Sequence, residues 1–261
     1  MMKRILLVLL LLFLSNPAFA LTQWCDDADA KGCWNIETGS ATTMVDQTSN
    51  SNDGSFKGAG EPNWDGVELP DAGDGFDGTS TYSVEFDGTD DYVSVPDSAD
   101  FDVATALTIT AWFNVDVVGT NQIIVKKFIN DLENKVLYLF DGGATLQISF
   151  YLFPMSVEAT GTTNLSINTW YHSAGTYDGT SVKVYLNGVE EDSENDTDDI
   201  RDNSGNVGIG QDVTDNTGSF NGNIDEILWL KRALDSTDIN DILDNGLVQS
   251  AAPTGAPSQI W

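Results

Sequence analysis

The sequence predicts an all-β protein of two stacked antiparallel sheets with one short C-terminal helix. Three observations carry this. Apolar residues recur with a period of two along most of the chain. Turn dipeptides containing Gly separate the periodic runs. Only one stretch, near the C-terminus, repeats with the period of a helix.

In chain order, a short strand is expected at residues 33–36, then strands at 82–86 and 92–95. From Leu107 to Val115, Leu107, Ile109, Ala111, Phe113 and Val115 form one face and Thr108, Thr110, Trp112 and Asn114 the other. Half-buried strands with one solvated face read this way. Strands at 122–126 and 135–140 follow, and Asp141-Gly142-Gly143 joins the latter to 145–153. There Leu146, Ile148, Phe150 and Leu152 alternate with Gln147, Ser149, Tyr151 and Phe153. Residues 169–177, 181–186 and the segment after Val189 read as consecutive antiparallel neighbours. The dipeptides between them, Asp178-Gly179 and Asn187-Gly188, tolerate the positive φ of two-residue hairpin turns. Strands at 206–209 and 223–230 complete the sheets. For the helix, Ser236 caps a turn starting at Thr237, Asp238 suits its N-terminus, and Ile239, Ile242 and Leu243 share a face. Asn245-Gly246 ends it.

The N-terminus reads as an export signal over residues 1–20. Lys3 and Arg4 precede an apolar run from Ile5 to Leu14, Asn16 and Pro17 break it, and Ala18-Phe19-Ala20 supplies a cleavage site. Ten apolar residues are too few to cross a bilayer of about 30 Å. The expected product is one domain over 21–248, with 249–261 as a flexible Ala/Pro/Thr/Gly-rich tail, in an extracytoplasmic location: periplasm, cell surface or medium. Without Lys3 and Arg4 the chain carries nine basic residues against 41 acidic ones, a net charge of −32. Such a surface repels nucleic acid and anionic membranes and suits divalent cations. Neither nucleic acid nor membrane insertion is expected. The two cysteines, Cys25 and Cys33, are expected to pair in an exported protein, closing a short loop worth about 2.5 kcal/mol.

Several strands carry a family's wording. The run Tyr82-Ser-Val-Glu-Phe-Asp-Gly-Thr-Asp-Asp-Tyr-Val-Ser-Val-Pro-Asp97 resembles the opening strands of LamG-like jelly-roll domains of the concanavalin A-like group. Leu107-Thr-Ile-Thr-Ala-Trp-Phe113 resembles the next family strand, and the segments from Thr169 to Thr180 and from Val184 to Gly188 its central hairpins. The segment from Gly222 to Leu234 is similar to the closing strand, and 238–243 to the helix behind it. The resemblance implies a concanavalin A-like jelly-roll. Two segments depart from it: the long acidic link 61–81, and 190–202, with eight acids in thirteen residues, where a neutral loop is expected.

The best metal candidate is calcium at Asp46-Gln-Thr-Ser-Asn50-Ser-Asn52-Asp53-Gly54, a loop rich in side-chain oxygens. Asp46, Asn50 and Asn52 are its expected ligands, and the resemblance adds Asp225 from the closing strand. Carbohydrate binding uses aromatic faces beside polar groups. Across the Asp141-Gly142-Gly143 turn, Tyr138 is placed to share an outer face with Gln147, Ser149 and Tyr151.

Catalysis finds little support. Glu190-Glu-Asp-Ser-Glu194 matches an E-x-D-x-E pattern of glycosidases, but Glu191 and Ser193 between the carboxylates anchor no apolar face, so a solvated acidic loop is expected. The single histidine, His172, is expected to pack rather than serve a nucleophile. The sequence therefore reads as a non-enzymatic, secreted module that binds a polysaccharide or glycoconjugate, with calcium as a candidate cofactor. A structural or adhesive module of a cell envelope or virion is the alternative, and a glycosidase or lyase the third reading.

Overall fold

The computed structural model describes residues 24–36, 42–58, 63–65, 83–103, 105–129, 134–143, 145–153, 157–214 and 216–247. The expected export segment 1–20 and the tail 249–261 lie outside these residues. No helix among the described residues is long and apolar enough to cross a membrane.

The strands in order are β1 (Ala30–Trp34), β2 (Thr43–Met44), β3 (Gly54–Lys57), β4 (Asn63–Asp65), β5 (Ser83–Asp87), β6 (Tyr92–Val95), β7 (Leu107–Val115) and β8 (Gln122–Phe128). They continue as β9 (Asn134–Asp141), β10 (Leu146–Leu152), β11 (Val157–Thr160), β12 (Trp170–Tyr177), β13 (Ser181–Leu186), β14 (Val189–Asn195), β15 (Val207–Ile209) and β16 (Asn221–Leu230). One helix, α1 (Ser236–Asn245), follows. The first sheet runs β14-β13-β12-β7-β16-β5-β4, with β1 also beside β16; the second runs β11-β10-β9-β8-β15-β6-β3-β2. Every pairing is antiparallel, so the sequence-predicted sandwich is the observed one.

The period-two pattern explains the core between the sheets. Ile109, Ala111, Phe113 and Val115 of β7 meet Ile148, Phe150 and Leu152 of β10 in one apolar cluster. Gly175 of β12 makes this fit possible, because a Cβ there would stand 2.3 Å from the Phe150 ring.

The expectation of one solvated face per sheet fails for the first sheet. Thr108, Thr110 and Trp112 on the other side of β7 are also buried. A second apolar cluster lies there, built from Trp24, Cys25 and Ala30 before or on β1, Leu228 and Leu230 of β16, and Ile239 and Ile242 of α1. The Cys25–Cys33 disulfide ties the N-terminal turn to β1, and the Trp24 indole donates to Asp241 of α1 at 3.0 Å. Chain ends far apart in sequence thus roof this face.

Four local expectations are corrected. The first strand spans Ala30–Trp34 rather than 33–36, because its register is set against Ile227–Leu230 of β16. The cap of α1 is Asp235, whose carboxylate accepts from the Thr237 and Asp238 N–H groups at 2.8 and 3.0 Å; its charge also suits the helix N-terminus. The Asn187-Gly188 turn has positive φ at both residues, 47° and 76°, as expected. At Asp178-Gly179 only Gly179 does, and Asp178 instead closes the turn by accepting from the Thr180 and Ser181 N–H groups.

The fourth concerns the acidic run, which begins as a strand rather than a loop. Val189–Asn195 is the edge strand β14. A register shift splits its carboxylates: Glu190 pairs with Tyr185 of the outer cluster, whereas Asp192 and Glu194 pair with the core residues Val184 and Val182. Glu190 therefore faces away from Asp192 and Glu194, and the E-x-D-x-E residues share no common face. A row of charges on an edge strand also blocks pairing with a further chain.

Candidate functional site

The first sheet's outer face is roofed over β1, β7 and β16, and among the described residues the outer face of the second carries an open surface. It is built by Ile123 and Lys126 of β8, Val136 and Tyr138 of β9, Tyr151 of β10 and Glu158 of β11. The register explains the grouping. Tyr138 pairs with Ser149, and Tyr151 pairs with Val136 on one side and Glu158 on the other, so their side chains share a face.

A trough of about 380 Å³ lies on this face. Its floor is Ile123, Val136, Tyr138 and Tyr151, with Asn121 and Lys126 at its margin. Residues 210–214 and 216–219 form the remaining wall through Thr217 and Gly218. That segment is held down by an ion pair from Lys126 to the buried Asp212. Burial alone would raise the Asp212 pKa, but Lys126 and the hydroxyl and N–H of Thr214 outweigh it and hold the carboxyl below its usual value. Asp212 is therefore a fixed anion that anchors the wall.

Tyr138 is locked in place. Its hydroxyl donates to Glu158, whose same oxygen accepts from the Thr160 hydroxyl at 3.3 Å. Burial and then Glu158 push the Tyr138 phenol well above its ordinary pKa. Of the four residues expected to bind sugar, the structure brings Tyr138 and Tyr151 into the trough. Ser149 is buried, its hydroxyl shared with Thr160 at 2.7 Å. Gln147 pairs with Phe140 nearer the hairpin and does not line the trough. The sequence reading missed Lys126, Asn121 and the 210–219 wall. The wall's turn signals are visible, with Asp212 capping Thr214 and positive φ at Asn216 and Gly218. Its placement needs the pairing of β15 with β8.

The proposed calcium residues are arranged differently from a vacant ligand set. Asp46 is buried, and each of its carboxylate oxygens accepts two hydrogen bonds. Oδ1 takes the Cys33 and Thr48 N–H groups at 2.9 and 3.0 Å. Oδ2 takes the Thr48 hydroxyl and the Asn52 N–H at 2.7 and 2.8 Å. The amide nitrogens of Asn50 and Asn52 donate to the Ala30 and Lys31 carbonyls of β1 at 3.0 and 2.7 Å. The loop is stitched to β1 by these bonds, and a cation at Asp46 would have to displace its donors. Asp225 is buried in β16, opposite Trp112, at a register shift where Glu226 takes a φ of 50°.

His172 lies on β12 against Trp112, ring centroids 5.5 Å apart, and is fully buried. Neither ring nitrogen has a hydrogen-bond partner, and burial lowers its pKa to about 3. It packs, as expected.

Comparison with known proteins agrees with this architecture. Domain 4 of AbnA, a GH43 extracellular arabinanase of Geobacillus stearothermophilus solved with arabinotriose, superposes with a TM-score of 0.62 at 18% identity, covering 82% of this chain and 98% of that one. The binding domain of Paraclostridial Mosquitocidal Protein 1 gives 0.63 at 14% identity, covering 83% and 52%. A putative carbohydrate binding protein of Bacteroides ovatus gives 0.52 at 21% identity, covering 62% and 46%. At these identities the likeness is one of fold. A search of curated proteins returns no match. Residues 87–240 match the family model of the concanavalin A-like lectin/glucanases superfamily, more than half of the chain, and the protein belongs to that superfamily.

Proposed function

We propose that this protein is an exported module that binds a polysaccharide or glycoconjugate in the trough of the second sheet, without turning it over. The observation that carries the reading is the pair Tyr138 and Tyr151, held on one open face beside Asn121 and Lys126. Aromatic faces stack on the apolar side of a sugar ring, and fixed polar groups meet its hydroxyls. A volume of about 380 Å³ falls in the range of small-molecule sites, enough for a short stretch of a glycan chain. Two fold neighbours, the AbnA domain solved with arabinotriose and the putative carbohydrate binding protein, lend support to a glycan ligand.

Binding without cleavage is favoured by the carboxylates that hold the trough's lining residues in place. A glycosidase needs one carboxyl poised to donate a proton and a second free to attack or activate water. Asp212 is bound to Lys126 and Thr214, and Glu158 accepts from Tyr138 and Thr160. A phenol with a raised pKa is also a poor nucleophile. Calcium at Asp46, Asn50 and Asn52, with Asp225 added by the resemblance, is a separate proposal, opposed by the saturated hydrogen bonding of Asp46.

The test is titration calorimetry against a panel of neutral oligosaccharides that includes arabinotriose. Tyr151→Ala, whose side chain is half exposed, should weaken binding at least tenfold and leave the melting temperature within about 2 °C. Binding that survives both Tyr151→Ala and Tyr138→Ala would place the ligand elsewhere.

A further inference from the structure

The turn between β5 and β6 carries Asp87, Asp90 and Asp91, and one carboxylate oxygen of each lies within 4.8 Å of the others. Clusters of acids are common on a chain this acidic and signify little alone. What sets this one apart is Asp91. It is only 5% exposed, and its Oδ1 is wholly buried with no hydrogen-bond donor. Its Oδ2 accepts from the Asp87 N–H at 3.2 Å, which aims the carboxylate across the turn toward Asp87.

A buried carboxylate oxygen without a donor is destabilising unless it is neutralised. No Lys or Arg among the described residues forms an ion pair with Asp87 or Asp91. The neighbours make matters worse: burial first, then Asp87, Asp90 and Glu85, push the Asp91 pKa up. The chain nonetheless keeps room for this oxygen. A Cβ at Gly58 would stand 2.3 Å from Asp91 Oδ1 and 3.1 Å from the Asp90 carbonyl, and Gly58 has a φ of 138°. The end of β3 is thus shaped around two oxygens of the turn, and only glycine fits there.

We propose that this turn binds a divalent cation, Ca²⁺, through Asp87, Asp90 and Asp91. The donors are all oxygens and irregularly spaced, which matches calcium's tolerance of six to eight oxygen ligands completed by water, and disfavours the strict octahedron of Mg²⁺. The position gives the ion a consequence. The Thr89 carbonyl in the same turn accepts from the Gln211 side chain at 3.2 Å and the Ser219 hydroxyl at 2.9 Å. A cation that stiffens the turn therefore steadies the 210–219 segment, which walls the trough.

The experiment uses the whole protein, stripped with chelator and exchanged into buffer of fixed ionic strength, with calcium chloride as the probe. The melting temperature should rise by about 5–10 °C at a calcium concentration a hundredfold above the dissociation constant, with a smaller rise for magnesium. Asp87→Asn and Asp90→Asn, both at exposed or half-exposed positions, should each weaken calcium binding at least tenfold in calorimetry, whereas Asn50→Ala in the 46–53 loop should not. The proposal is overturned if calcium produces neither heat nor a shift in melting. It is equally overturned if the effect survives both aspartate variants, or is lost in Asn50→Ala alone.

Discussion

His172 gives the structure a measurable pH dependence. Its ring is fully buried, its two nitrogens have no partner, and its native pKa is lowered to about 3 by burial. Unfolded, it titrates near 6.5. Between these values the unfolded chain binds a proton that the native chain refuses, so stability rises with pH and is lost as pH falls below 6.5. Integrated from pH 7.5 to 5.5, the loss from this one group is about 1.4 kcal/mol, and it grows by about 1.4 kcal/mol for each further pH unit down to the native pKa. Asp91 acts in the opposite sense, because its pKa is raised in the native state. The lowered carboxyls of Asp27, Asp178, Glu191 and Asp212 lose their contribution mainly below about pH 5.

These other groups cancel when wild type is compared with His172→Leu at each pH. Leucine has a similar volume, and the substitution forfeits no hydrogen bond of the ring, so little stability is lost at pH 7.5. Urea unfolding at pH 7.5, 6.5 and 5.5 should show the variant gaining about 1.4 kcal/mol on wild type across the series. Parallel curves for the two proteins would refute the reasoning, since they would mean that the imidazole finds a partner or titrates normally in the folded state.

Two further predictions concern the scaffold. Replacing Cys25 and Cys33 with alanine removes a closure spanning 8 positions in sequence and should cost roughly 2.5 kcal/mol, seen as a drop in melting temperature of about 5–10 °C that wild type reproduces under reductant. Gly175→Ala forces a methyl into the Phe150 ring and should cost about 1–3 kcal/mol by urea unfolding; adding Phe150→Leu should recover part of that loss, and a purely backbone effect at Gly175 would leave none to recover.

The parts of the fold legible in the sequence are those set by local rules. Ser181–Leu186 and Tyr92–Val95 occur at the expected bounds because alternation and flanking turns fix both ends. Tyr138 and Tyr151 were placed on one face by the same alternation, and the register of β9 with β10 puts them there. What stayed hidden depends on partners far away in sequence. Thr108, Thr110 and Trp112 read as a solvated face, yet they are buried by an N-terminal turn and a C-terminal helix that no local pattern assigns to that sheet. Ser149 looked available because nothing in its own strand shows that Thr160 of β11 occupies its hydroxyl. The acidic run 190–195 looked like a loop because composition spoke louder than the hairpin turn before it, and an edge strand tolerates charges that a central strand excludes.

This asymmetry between the sheets is why the outer face of the second sheet is proposed as the ligand surface. Both outer faces begin as alternating strands, but the disulfide, α1 and the Trp24–Asp241 hydrogen bond seal the first sheet with apolar side chains. Among the described residues, the second sheet receives a mostly polar cover, residues 210–214 and 216–219, which follows β15 and is pinned by Asp212 to Lys126 of β8. A polar wall anchored at one side leaves two half-buried tyrosines on the other, and Glu158 fixes the Tyr138 ring. Rigid aromatic faces lose little entropy on binding, which matters for glycans whose individual contacts are weak. The wall hangs from the Thr89 carbonyl at its far end, beside the three aspartates. Occupancy of that turn by calcium should therefore tighten binding in the trough without any ligand touching the ion, and the two sites should strengthen each other by the same factor.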